Sequence, residues 1–302
     1  MPRAMRLNAA LLFLLCLGAC KPTEVSHPKA IVGAVLLDGQ GGPPVSDSVV
    51  IVADGRIMAA GPRSVVAIPQ GSETVDGSSR YMVPIPIDVC AQAVPPGMIR
   101  ATTPDDARAQ VAKLAATHAT VIHIASLALP VAQATMEAAR AASIPVIAHI
   151  STEAEAEAMV TAGAAGFVGM IRDRDVDPAF ASKLRDLRIF FAPALGISSA
   201  GQDIAKRNTL RLFQTGVPIA VASAGGNFLN EVELLSEAGI PPLDVLVAAT
   251  RNGAAAVGKL ANEGTIQPGK IANLMLLSAN PGDDIRNLRH VFMRVSASVS
   301  TR

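Results

Sequence analysis

Apolar residues recur at every second position along the first stretch of the chain and at helical spacing later, so two kinds of structure are expected. From Ala30 to about Met82 the period is two. Ile31, Val32, Val35, Leu36 and Leu37 are followed by Val49-Val50-Ile51-Val52 and by Ile57-Met58, with Gly, Pro, Asp and Ser between them. This reads as a small β region. Asp54-Gly55 lies between two of the apolar runs and suits a tight hairpin, because both residues tolerate positive φ. From Thr103 onward, helical stretches alternate with short β-branched runs, the signature of βα units around a parallel sheet.

Thr103-Pro104-Asp105-Asp106 places a hydroxyl cap, a proline and two acids in the order that starts a helix. Val121-Ile122-His123-Ile124 reads as the next strand, Val131 to Ala142 as a helix, and Pro145-Val146-Ile147-Ala148-His149 as another strand. Thr152 to Glu155 forms a capping box. Further strand-like runs are Gly166-Phe167-Val168, Arg188 to Phe191 and Val217 to Val221, and strand character returns over 264–277 and 290–295. The expected organisation is an α/β body over 83–263 and a composite β domain, a small β-sandwich, from 30–82 and 264–302.

The first residues have a different character. Arg3 and Arg6 precede the apolar run Ala9 to Leu17, which is too short to span a bilayer and fits the core of a secretory signal over 1–19. The run ends in Leu17-Gly18-Ala19-Cys20, a sequence similar to the lipobox of bacterial lipoproteins. That resemblance implies cleavage before Cys20 and its lipidation, which would attach the chain to a membrane through acyl groups. An ordinary signal peptide with a coincidental cysteine is the alternative. Residues 20–29 then form a tether, and Lys21 is compatible with a periplasm-facing position on the outer membrane of a bacterial envelope.

Composition narrows the partners. Lys+Arg number 26 against Asp+Glu 25, and the chain has no Trp, one Tyr and eight Phe. A nearly neutral, aromatic-poor chain does not suit nucleic acid. Of the three cysteines, Cys16 lies in the leader and Cys20 would carry the lipid, so only Cys90 remains as a free thiol and no disulfide framework is expected.

Several blocks, taken in order, resemble the amidohydrolase superfamily, in its imidazolonepropionase or prolidase-like branch. Ser48 to Gly61 is similar to that family's opening hairpin, and Tyr81-Met82-Val83-Pro84 with Ile87-Asp88 to the lead into its first barrel strand. Ala248 to Ala254 resembles its penultimate helix, and Gly264 to Leu274 its closing turn, with Asn273 for the usual Asp. The resemblance implies a TIM-like (β/α) barrel with metals at the C-terminal strand ends and hydrolysis of C–N bonds in amides, cyclic amides or dipeptides.

Most of the ligands that the resemblance implies are missing. The family's Asp-x-His-x-His reads Asp88-Val89-Cys90-Ala91-Gln92, and its bridging Lys falls in Val121 to Ile124. His149 is kept, the sixth-strand His corresponds to Gly169, and the terminal Asp is replaced within Ala222-Ser223-Ala224. Between Gln92 and Thr103 there is too little chain for the second and third units, so an incomplete barrel of about six of the eight units is expected.

Two chemical readings remain. Cys90, His123 and His149 could form a remodelled site for one zinc, since Cys and two His with water make an acceptable catalytic shell. Alternatively, Cys90 is a buried small hydrophobe and the histidines are satisfied remnants, leaving a membrane-anchored, non-catalytic protein that binds a small molecule or an envelope protein. A decaying gene product is a third possibility. Ser223 lacks a nucleophile elbow, and Arg172 to Asp177 reads as a solvated loop.

Overall fold

The computed structural model describes residues 28–91, 98–296 and 300–301. The leader 1–19, Cys20, most of the tether and Gln92 lie outside the described residues. Among the described residues no helix is long and apolar enough to cross a membrane.

Both chain ends meet in one sheet. Its N-terminal strands are β1 (Lys29–Leu36), β2 (Val45–Ala53), β3 (Arg56–Pro62), β4 (Glu73–Asp76) and β5 (Tyr81–Pro84). Asp54 and Gly55, at φ 49° and 70°, make the expected two-residue turn between β2 and β3. On its other edge β1 pairs in parallel with β4 through Lys29–Val32, then with β5 through Val35 and Leu36. Later in the chain β11 (Leu274–Leu277) returns antiparallel to β5, and β12 (Val291–Val295) and β13 (Ser300–Thr301) extend the edge. Alternation sorts the side chains. Ile31, Val50, Val52, Met82, Leu274 and Leu276 form a core on one face, while Val83, Met275 and Leu277 turn into the larger core of the α/β body.

The second sheet is parallel, in the order β10–β9–β8–β7–β6, with β6 (Met98–Ile99), β7 (Ile122–Ala125), β8 (Val146–Ile150), β9 (Gly166–Gly169) and β10 (Phe190–Pro193). The two-residue β6 corrects the expectation that no strand lies between Gln92 and Thr103. It pairs with β7 at His123 and Ile124, and is too short to show a period of its own. The ring continues through segment 217–222, where Phe191 N donates to Pro218 O and Ala220 N to Phe191 O. Segment 87–89 follows, with Val89 N donating to Val221 O. Seven strand positions are thus arrayed among the described residues, the six read from the sequence and β6.

The strand faces divide cleanly. Ile122, Ile124, Val146, Ala148, Phe167 and Phe191 point outward into the helical layer. Val121, Ile147, Val168, Ala192, Ala220 and Ala222 fill the interior with Val89 and Cys90. Six helices pack outside. They are α1 (Pro104–Ala116), α2 (Leu129–Ala141), α3 (Glu153–Ala162), α4 (Pro178–Asp186), α5 (Gln202–Thr215) and α6 (Phe228–Glu237). Thr103 caps α1, Thr152 and Glu155 form the full capping box of α3, and Asp177 caps α4. Asp177 therefore has a structural task, and its neighbour Asp175 makes an exposed ion pair with Arg207. A final helical run, α7 (Pro242–Val247), passes through a π-turn at Ala248–Asn252 into α8 (Gly253–Ala256). The carbonyl of Ala249 accepts from Ile87 N, and a Cβ at Gly253 would stand 2.6 Å from Ile87 O. Segment 87–89 is thereby held against the helix and at the rim.

Candidate functional site

Inward-facing residues at the C-terminal ends of the barrel strands form the site, as the fold dictates. His123 on β7 and His149 on β8 share the inner face. Register pairs Ala125 with His149 and His123 with Ile147, so the two rings are diagonal neighbours. Their nitrogens, His123 Nδ1 and His149 Nε2, share a hydrogen bond of 3.0 Å. His123 is fully buried and its Nε2 has no partner. Burial, with the neighbouring His149, pulls the His123 pKa down to about 4, and burial lowers that of His149 as well. Both rings are therefore neutral at pH 7.

Cys90 does not join them. Its side chain packs with Val89, Val121, Ile147 and Ala222, and burial pushes the thiol up to about 11, so it stays protonated. Among the described residues, no three His, Cys, Asp or Glu side chains gather as a metal-binding group. The three residues singled out from the sequence are thus split into a bonded histidine pair and a buried thiol.

The other ligand positions are closed for backbone reasons. At Gly169, φ is +127° and a Cβ would lie 2.1 Å from Ile150 O, so the place of the family's sixth-strand His admits no side chain at all. Ala224, in the place of the terminal Asp, lies in a turn closed by Gly226 N donating to Ser223 O at 2.7 Å. Its φ of 46° is left-handed. The donor set does not fit the binuclear metal centre of the family. Nor do Cys90, His123 and His149 gather as a Cys/His zinc site, since the thiol lies apart from the histidine pair in the packed interior.

Asp88 is the acid retained from the family's first motif, and it serves as a clamp. Its Oδ1 accepts from Cys90 N at 2.8 Å and Ser223 N at 3.0 Å, and its Oδ2 accepts from Ser223 Oγ at 2.5 Å. Segment 87–89 is thereby fastened to the end of segment 217–222. Ser223 donates both its amide and its hydroxyl to this acid, which ties the two segments together.

Glu231 on α6 escaped the sequence reading. It is 1% exposed, its Oε1 accepts from Gly196 N at 2.8 Å, and its Oε2 has no partner. Burial raises its pKa to about 7 against the pull of the Gly196 and Leu195 amides. A signal existed. Phe228, Val232 and Leu235 make an apolar stripe along α6, and Glu231 is the acid within it.

In front of His149 lies a cavity of about 300 Å³ that opens on the rim, lined by Ile124, Leu127, Ile150, Met159 and Ile197 among others. Ile197 is half exposed at its mouth.

The amidohydrolase family model matches residues 193–299. No curated protein matches the sequence. Solved structures with the same fold include a molinate hydrolase, 14% identical over 91% of this chain and 95% of that one, with a TM-score of 0.78. A Xaa-Pro dipeptidase with bound methionine is 13% identical over 91% of this chain and 100% of that one, with a TM-score of 0.77. The ochratoxinase of A. niger is 15% identical over 91% and 96%, with a TM-score of 0.77. At such identities these likenesses concern the fold. The fold is thus the one these hydrolases share, and the match to the amidohydrolase family model covers the C-terminal third of the chain.

Proposed function

We propose that this protein is a lipid-anchored envelope protein that uses the amidohydrolase barrel to bind a small molecule without hydrolysing it. The observation that carries the reading is the mutual hydrogen bond of His123 and His149, which uses one nitrogen of each ring where the family would place metal ligands. The buried thiol of Cys90, the closed position at Gly169 and the absence of an acid at Ala224 support it. A metal would supply a water nucleophile at neutral pH and polarise the scissile carbonyl. Without a donor set for one, the rim cavity keeps its shape and loses that chemistry.

The test is metal content and turnover of the full chain, purified with zinc and manganese and then desalted. Well under one ion per chain, with no cleavage of amides, cyclic ureides or dipeptides, is expected. About one retained ion, lost in His149→Ala and accompanied by turnover, would return the protein to the hydrolases. Anchoring has its own check, since labelled fatty acid should enter the bacterial protein and fail to enter Cys20→Ala.

A further inference from the structure

The tautomer of the histidine pair determines what the cavity can recognise. His123 Nδ1 and His149 Nε2 share one hydrogen, so one ring donates and the other accepts. If His149 donated, the proton of His123 would sit on Nε2, which is buried without a partner. A buried orphan N–H is rarer in proteins than an under-satisfied acceptor. The proton of His123 therefore belongs on Nδ1, and that of His149 on its own Nδ1. No described group bonds that Nδ1, and His149 lines the cavity.

The remaining lining limits the ligand further. It contains no Lys or Arg, so nothing balances an anion. Its one acid, Glu155, already accepts from Ser151 N, Ser151 Oγ and Thr152 N through Oε2, so it is engaged in capping α3 and repels a carboxylate. Ile124, Leu127, Ile150, Met159 and Ile197 supply an apolar wall.

We infer that His149, set by His123 as a positioning residue, presents Nδ1–H to the carbonyl oxygen of a compact, uncharged ligand with an apolar portion. This rests on the reading of the rim cavity as a ligand site, and adds the chemical class of the ligand. The volume lies at the small end of ligand pockets, which suits a single substituted ring.

The full chain, in detergent and labelled with ¹⁵N-histidine, is titrated at pH 7 with acetophenone, with α-methylstyrene of the same shape but no acceptor, and with benzoate. Long-range ¹H–¹⁵N spectra, assigned through His149→Gln, should show His149 protonated at Nδ1 and bare at Nε2. Acetophenone should bind at least tenfold more tightly than either comparison compound. In His123→Phe, which keeps an aromatic ring but not the shared hydrogen bond, the tautomer should become mixed and the preference should fall to about threefold or less. A proton on His149 Nε2, or equal binding of acetophenone and α-methylstyrene, overturns the inference while leaving a binding cavity. If no probe binds, the cavity is not a ligand site and both readings fall.

Discussion

His123 and His149 lie diagonally on the inner face of adjacent parallel strands, and their side chains meet at 3.0 Å between Nδ1 and Nε2. Parity puts both inside, and the stagger of two residues brings the rings to an edge-on approach with centroids 5.3 Å apart. The pair satisfies within the protein two nitrogens that would otherwise need water or a metal.

Acid should weaken the fold through this pair. The pKa of buried His123 falls from an ordinary 6.5 to about 4, so between those values the unfolded chain takes up a proton and the folded chain does not. Stability is held above pH 6.5 and lost as the pH falls toward 4, at about 1.4 kcal/mol per unit of depression. Denaturant midpoints at pH 7 and 4.5 should differ less in His123→Phe than in the parent, and an unchanged difference would exclude His123 as the source.

Glu231 should act in the opposite direction. Its pKa rises from an ordinary 4.5 to about 7, so its contribution is complete below pH 4.5 and disappears as the pH climbs through 7. Relative to the parent, Glu231→Gln should gain stability from pH 5 to pH 8, by up to about 3 kcal/mol. Glu231→Leu should lose about 1–3 kcal/mol at pH 5, since the Gly196 amide would be left unpaired. Urea titrations at the two pH values separate these outcomes.

Gly169 should tolerate no replacement. With φ at +127° and Ile150 O at 2.1 Å from the position of a Cβ, Gly169→Ala should cost about 2 kcal/mol or more. Gly225→Ala, also at positive φ but with nothing within 4 Å, should cost about 1 kcal/mol. Thermal unfolding of the two variants gives the comparison. Substituting His at 169 cannot rebuild a ligand, because the carbonyl occupies its place.

Ala224 holds a left-handed conformation that an L side chain resists. Ala224→Gly should stabilise by about 0.5–1 kcal/mol despite the added freedom of the unfolded chain. Ala224→Asp restores the family's acid in a residue type that accepts this conformation. It should still bring no metal, because the two histidines remain bonded to each other. Elemental analysis of that variant showing a bound ion would mean that the pair opens readily.

Local chemistry carried much of the fold in the sequence. Alternation fixed the inner and outer faces of β7 and β8, Asp54-Gly55 set the hairpin, and Thr103 and Thr152 set the starts of α1 and α3. These features depend on neighbours within a few residues, so order along the chain suffices to read them. The losses at Gly169 and Ala224 were likewise visible as residue types missing from a familiar order. Tertiary structure decided the rest. Whether His123, His149 and Cys90 converge depends on strand stagger and on what fills the barrel, and these set a bonded pair apart from a thiol among Val89, Val121 and Ala222. Two-residue β6 exists only because β7 offers it an edge, and Glu231 matters only because α6 turns that acid inward against Gly196. Pairing, closure and burial are long-range relations, and a hydrophobic period records which face is inside without recording what that face meets.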